Sequence, residues 1–285
     1  MQIHAPELLS RWLEKQTSPE SWRWLSERIA RGAATPERDV FITLGLIPRR
    51  LGRADLALDA ADLEAADAAR PGWDPRGWSV DGAARVLVLL RTVAQGDKFP
   101  ENFQRLCRTA DVAEAIAFYR GLPLYPQGDR LEAQAAEGLR SNMSAIFEAV
   151  AHNNAYPRDH FDDHRWNHMI LKALFVGSAL APIQGLDARA NADLALMLFD
   201  YAHERWAAER GVSPELWRGV GSYATTPPML ADLARVLANG ATVEREAAAL
   251  ALAASQSEDA APILQSAPDL ARRIETGALT WQTLA

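Results

Sequence analysis

Apolar residues recur at spacings of three and four along almost the whole chain, set among Ala, Leu, Glu and Arg, with Pro, Gly, Ser, Thr or Asp at the joints. That period is helical. It predicts helices over 7–16, 19–31, 36–50, 54–69, 79–94, 101–109, 111–120, 129–151, 162–177, 191–210, 228–239, 243–255 and 267–276. The best candidate for a strand, Arg85-Val-Leu-Val-Leu-Leu-Arg-Thr-Val93, lacks polar and apolar alternation and continues from Asp81, Ala83 and Ala84. It reads as a buried helix. The expected fold class is all-α.

The segment Asp232-Leu-Ala-Arg-Val-Leu-Ala-Asn-Gly240 recurs 37 residues later as Asp269-Leu-Ala-Arg-Arg-Ile-Glu-Thr-Gly277. This spacing falls in the range of helical repeats. Each copy ends in a glycine suited to a left-handed residue after a helix, and Thr242 and Thr280 follow as caps for what comes next. Arg28 to Arg38 echoes the same punctuation, with Pro36 suited to a first helical position. Stacked antiparallel helix pairs follow, solenoid-like in the manner of HEAT or tetratricopeptide proteins. The expected organisation is a main helical domain over 1–225 and a carboxy-terminal repeat region, 226–285, packed on it, with Leu233 and Leu270 in equivalent core positions.

Two joints depart from this pattern. Pro71-Gly-Trp-Asp-Pro-Arg-Gly-Trp-Ser79 carries two of the nine tryptophans in a turn-rich stretch, and Gly121 to Gly128 is a second long break. Tryptophans on such a loop either line a ligand mouth or plug the end of a helical core.

Composition narrows the function classes. A chain of 285 residues that is 48% hydrophobic and 24% charged supports a sizeable core and excludes disorder. A net charge of −7, without massed basic residues, argues against nucleic-acid binding. Cys107 is the one cysteine, so neither an intramolecular disulfide nor a thiolate metal cluster is available, and the cytoplasm is the expected location. The first residues lack a basic region followed by an apolar one, as a secretory signal would have. The longest uncharged stretch, Ala173 to Leu186, is interrupted by Gly177, Pro182 and Gly185 and falls short of the ~20 residues of a membrane span. No transmembrane segment is expected. Among 30 basic residues only Lys15, Lys98 and Lys172 are lysine, which gives a lysine that persists some weight.

Candidate chemistry gathers in one window. Residues 152–168 hold His152, His160, His164 and His168, four of six histidines, where a uniform spread would place fewer than one. His152-Asn153-Asn154-Ala-Tyr156-Pro157 supplies a loop of hydrogen-bonding groups. Asp162-Asp163 then opens a helix, its carboxylates matched to the positive end of the dipole. Along that helix His164, His168 and Lys172 stand at i, i+4 and i+8, with Asn167 flanking them. Three readings compete. His164 and His168 could ligate a metal with Asp163, His152 or His160 as a third ligand, although His-x-x-x-His lacks the zincin glutamate. The same groups could clamp an anion or hydroxyl at a cavity mouth. Alternatively, they form a solvated face opposite Trp166, Met169, Ile170, Ala173 and Val176.

Other signatures fail. Asp200-Tyr-Ala-His203 is a single carboxylate-x-x-His motif where a di-iron bundle needs two. Trp166 stands where an Asp-Asp-x-x-Asp motif would need its last carboxylate. Gly219-Val-Gly-Ser-Tyr-Ala224 follows no strand and reads as a turn.

The runs Trp166-Asn-His-Met-Ile-Leu-Lys-Ala-Leu-Phe175, Asp200-Tyr-Ala-His-Glu-Arg-Trp-Ala-Ala-Glu-Arg210 and Pro214-Glu-Leu-Trp-Arg218 resemble the EboA-domain family of bacterial proteins. The resemblance implies a place in a gene cluster whose other members are similar to a UbiA-type prenyltransferase, a sugar-phosphate cyclase and TIM-barrel or hydrolase proteins, and which makes or exports a secondary metabolite. It transfers no catalytic role and no cofactor to any residue here. The expectation is a protein that binds a metabolite, or a partner protein of that cluster, near His152 to Lys172. The alternative is a pathway enzyme using histidine acid/base or metal chemistry.

Overall fold

A computed structural model describes residues 4–94 and 96–284. The chain is all-helical: 68% of it is helix, and the described residues contain no strand. None of their helices is long and apolar enough to cross a membrane. Backbone proximity divides the chain into two compact units, residues 1–161 and 162–285. The boundary expected at 225/226 from the repeat falls inside the second of these.

The first unit is built around a buried helix, as the run after Ser79 predicts. Helices α1 (Ala5–Gln16), α2 (Pro19–Ile29), α3 (Glu37–Leu51) and α4 (Ala60–Ala69) precede α5 (Val80–Val88), which packs against α1 and α3 and against the later helix Val112–Arg120. Ser79 caps α5 by accepting from the Gly82 amide at 3.2 Å, and Val80 to Val88 are buried except Gly82. Past Val88 the backbone winds into a π turn, with Ala94 N–H donating to Leu89 O at 2.8 Å, while the Thr92 hydroxyl donates to Val88 O at 2.7 Å. Helix α6 (Phe99–Thr109) and α7 (Val112–Arg120) follow, then α8 (Glu132–Arg140), α9 (Ser144–Ala151) and the short α10 (Tyr156–His160).

Two expected helices are shorter than their periodicity suggests. Residues 54–58 are not helical: Leu56 N–H donates to Trp78 O and Val80 N–H to Ala54 O, both at 2.8 Å, which pins the 71–79 loop to this segment. Helix α4 starts only where Asp59 and Asp62 form a capping box. The expected helix 129–151 breaks between α8 and α9, where the Ser141 hydroxyl oxygen accepts from Met143 N–H at 3.1 Å. A serine that bonds the local backbone offers it an alternative to the helix ladder.

The second unit comprises α11 (Asp163–Val176), α12 (Ala192–Ala207), α13 (Leu216–Val220), α14 (Pro227–Asn239), α15 (Thr242–Ala254), α16 (Ala260–Gln265) and α17 (Pro268–Glu275). Helices α14 and α15 form a hairpin, and α15 also packs on α13, α16 and α17. Its run of small residues, Ala247 to Ala249 and Ala251, permits that crowding. A Cβ at Gly221 would lie 2.9 Å from Ala251 Cα, so only glycine lets the backbone after α13 rest on α15. Leu233 and Leu270 are both buried. The two glycines of the repeat differ, however. Gly277 has φ +71°, as a left-handed cap requires, whereas Gly240 has φ −69°. Gly240 serves close approach instead, since a Cβ there would stand 2.7 Å from Val236 O. The caps also shift by a residue: Ala241 takes the cap position of α15 with Thr242 first in the helix, and Pro36 precedes α3 as its cap.

Candidate functional site

Within the first unit, the ends of α7 and α9 and the tryptophan loop enclose a polar cavity of about 180 Å³. Helix α7 supplies Ile116 and Arg120, one turn apart and therefore on one face. Helix α9 supplies Ala145, Glu148 and its capping residue His152, again on one face, followed by Asn153; the loop adds Arg76 and Trp78.

Asn154 sets this geometry without lining it. Its buried side-chain amide donates to Tyr119 O at 3.0 Å and to Ala149 O at 2.9 Å, and its carbonyl oxygen accepts from Tyr156 N–H at 3.0 Å. The end of α9 is thereby tied to the end of α7, which brings His152 and Asn153 to the cavity that Arg120 lines. Tyr156 is buried, its hydroxyl donating to Gly128 O at 2.6 Å and its ring stacked on His160 at 4.6 Å. His160 Nδ1 lies 2.9 Å from Asp129 Oδ1. Asn153 adopts φ +50°, in the left-handed region that asparagine tolerates better than most residues. Asn153→Ala is expected to destabilise the protein by about 1–2 kcal/mol, and Asn153→Gly by clearly less, because the strain at a positive φ comes from a Cβ crowding the backbone carbonyl, and glycine has no Cβ. Urea unfolding followed by circular dichroism measures both.

The two arginines of the lining are in different electrostatic states. Arg76 is chelated by Asp74, with Nε at 2.8 and 2.9 Å from the two carboxylate oxygens and Nη2 also bonded. These hydrogen bonds, and secondarily the charge of Asp74, hold its pKa above the usual value. Arg120 Nη1 donates to Gly77 O at 2.7 Å, a neutral acceptor, and burial pulls its pKa down. Trp78 is a buried member of the lining, its ring centroid 6.1 Å from that of Trp73, which in turn sits 5.5 Å from Trp12. The loop tryptophans thus act as a core plug and, through Trp78, as a cavity wall.

The polar window of the sequence is divided between the units. His152 and Asn153 line the cavity of the first unit; Asp163, His164, Asn167, His168 and Lys172 belong to α11 in the second. There His164 and His168 are exposed, their rings 4.2 Å apart, with His168 Nδ1 2.8 Å from His164 O. Asn167 is buried in a reciprocal amide pair with Asn191, at 3.1 and 2.9 Å, and Asn191 caps α12. Asp163 pairs with Arg189 at 2.6 Å, and Asp187 with Arg218 through two contacts of 2.7 Å. Lys172 is half-buried, and that burial lowers its pKa. Among the described residues no three His, Cys, Asp or Glu side chains come together as metal ligands.

Arg76, Ile116, Arg120, Ala145 and Glu148 escaped the sequence reading. Faint signals pointed to three of them: Arg76 lies between the loop tryptophans, Arg120 immediately precedes the break at Gly121, and Glu148 stands four residues before His152.

The family model described as "Metabolite traffic protein EboA" matches residues 5–221, a span that contains every residue of this cavity. No curated protein and no solved structure matches the chain.

Proposed function

The chain belongs to the EboA family, and from that premise we propose that it serves metabolite traffic by reversibly holding a small metabolite in the cavity between α7, α9 and the 71–79 loop. The observation that carries this reading is the convergence of Arg120, His152 and Asn153 on one cavity walled by Trp78. A few convergent polar groups beside aromatic and aliphatic walls are what a ligand site needs for orientation and for desolvation. The volume of about 180 Å³ is below the roughly 300–1,000 Å³ that encloses drug-sized molecules, so the occupant is a small metabolite or the polar end of a larger one. The elements that set the cavity are rigidly held, by Asn154 on one side and by the tryptophan stack on the other, which suits binding without large rearrangement.

The test fills the cavity. Ala145 is exposed at its rim, so Ala145→Trp adds bulk without entering the core. Wild-type protein and the variant are incubated with small-molecule extract from bacteria that carry the gene, desalted, and their bound compounds identified by mass spectrometry. Wild type should retain a compound that the variant loses at unchanged helicity. Equal retention by both would reject this cavity as the binding site.

A further inference from the structure

Resting on that reading and narrowing it, we infer that the cavity recognises an oxyanion, a carboxylate or phosphate group, held by the unused donors of Arg120. A guanidinium presents five N–H donors in a planar fork. Among the described residues, the hydrogen bond of Arg120 is the one to Gly77 O, and Arg120 forms no ion pair. Arg76, on the same lining, has its fork closed by Asp74 and offers no comparable opening. A half-buried cation beside Ile116 and Trp78 loses hydration that a neutral carbonyl replaces only in part. An incoming carboxylate or phosphate would replace the rest with paired, charge-assisted hydrogen bonds. His152 and Asn153 add hydrogen-bonding groups at the same cavity. Glu148 is the acidic residue of the lining, and its charge selects against polyanions, leaving a single oxyanionic head on a small polar body.

Isothermal titration calorimetry with glycerol 3-phosphate, glycerate and glycerol separates the possibilities, because the three share a skeleton and carry a phosphate, a carboxylate or no charge. Wild type should bind at least one of the two oxyanions and show no heat with glycerol. Arg120→Gln should weaken that binding about 10- to 100-fold, as loss of charge-assisted hydrogen bonds predicts. Arg120→Lys, which keeps charge and one donor but not the fork, should lie between. Arg140→Gln removes the same charge from the exposed surface of α8 and should leave affinity unchanged. Equal weakening by Arg120→Gln and Arg140→Gln would show diffuse attraction and overturn the inference. So would absence of heat with both oxyanions. If a compound retained by wild type and lost in Ala145→Trp proves uncharged or cationic, the oxyanion inference fails while the cavity stands. If Ala145→Trp retains everything, the cavity itself fails and the inference with it.

Discussion

Arg85→Met alone is expected to destabilise the protein by about 3–5 kcal/mol, because it strands a charged Asp81 inside the first unit. The two side chains are 1% and 5% exposed and meet at 2.5 Å across one turn of α5. Such a pair has given up its hydration, and mutual attraction in the apolar interior offsets most of that cost only while both partners remain. Arg85 Nε is buried and has no hydrogen-bond partner among the described residues, so the protein groups around the pair do not satisfy it fully. Asp81→Leu with Arg85→Met should therefore recover most of the loss, and similar buried-pair replacements have gained about 1–4 kcal/mol over the parent. Urea unfolding of the parent, the single variant and the double variant gives the comparison. A single-variant cost below about 1 kcal/mol would mean that water reaches the pair and that α5 is not at a dry centre.

Trp73→Ala is expected to cost about 3–5 kcal/mol, the range for emptying a large aromatic site in a core. It should also abolish metabolite retention, even though Trp73 does not line the cavity. Trp73 is 2% exposed and stands between Trp12 and Trp78, so its loss removes the support behind the cavity wall and frees the segment that carries Arg76. Its indole Nε1 is buried and has no hydrogen-bond partner among the described residues. Trp73→Phe keeps most of the aromatic contact and eliminates that unpaired donor, so it should be much milder in both respects. Paired measurements of unfolding free energy and of compound retention test the argument: loss of stability with retention intact would show that the tryptophan stack holds the core and not the site.

Local pattern by itself determined the class of the protein. A run of apolar residues at three and four spacings can bury one stripe only as a helix, and this logic identified α5 as a buried helix despite its valines. It also marked the tryptophan loop and the polar loop after α9 as exceptional. Where local hydrogen bonds compete with the helix ladder, pattern went too far: Ser141 broke a helix that periodicity would have continued, and Asp59 delayed another. The site was decided by tertiary structure. Arg76, Arg120 and His152 are far apart in sequence, and helical period says which residues share a face but not which faces meet. Adjacent asparagines illustrate the limit most sharply. Asn153 and Asn154 are chemically identical in sequence, yet Asn154 is consumed in tying α9 to α7 while Asn153, turned by its positive φ, is left at the cavity. The histidine-rich window likewise had one composition but two destinations, because the compact units part between Phe161 and Asp162. Residue type fixes which hydrogen bonds are possible; only the packed chain decides which are already used and which remain for a ligand.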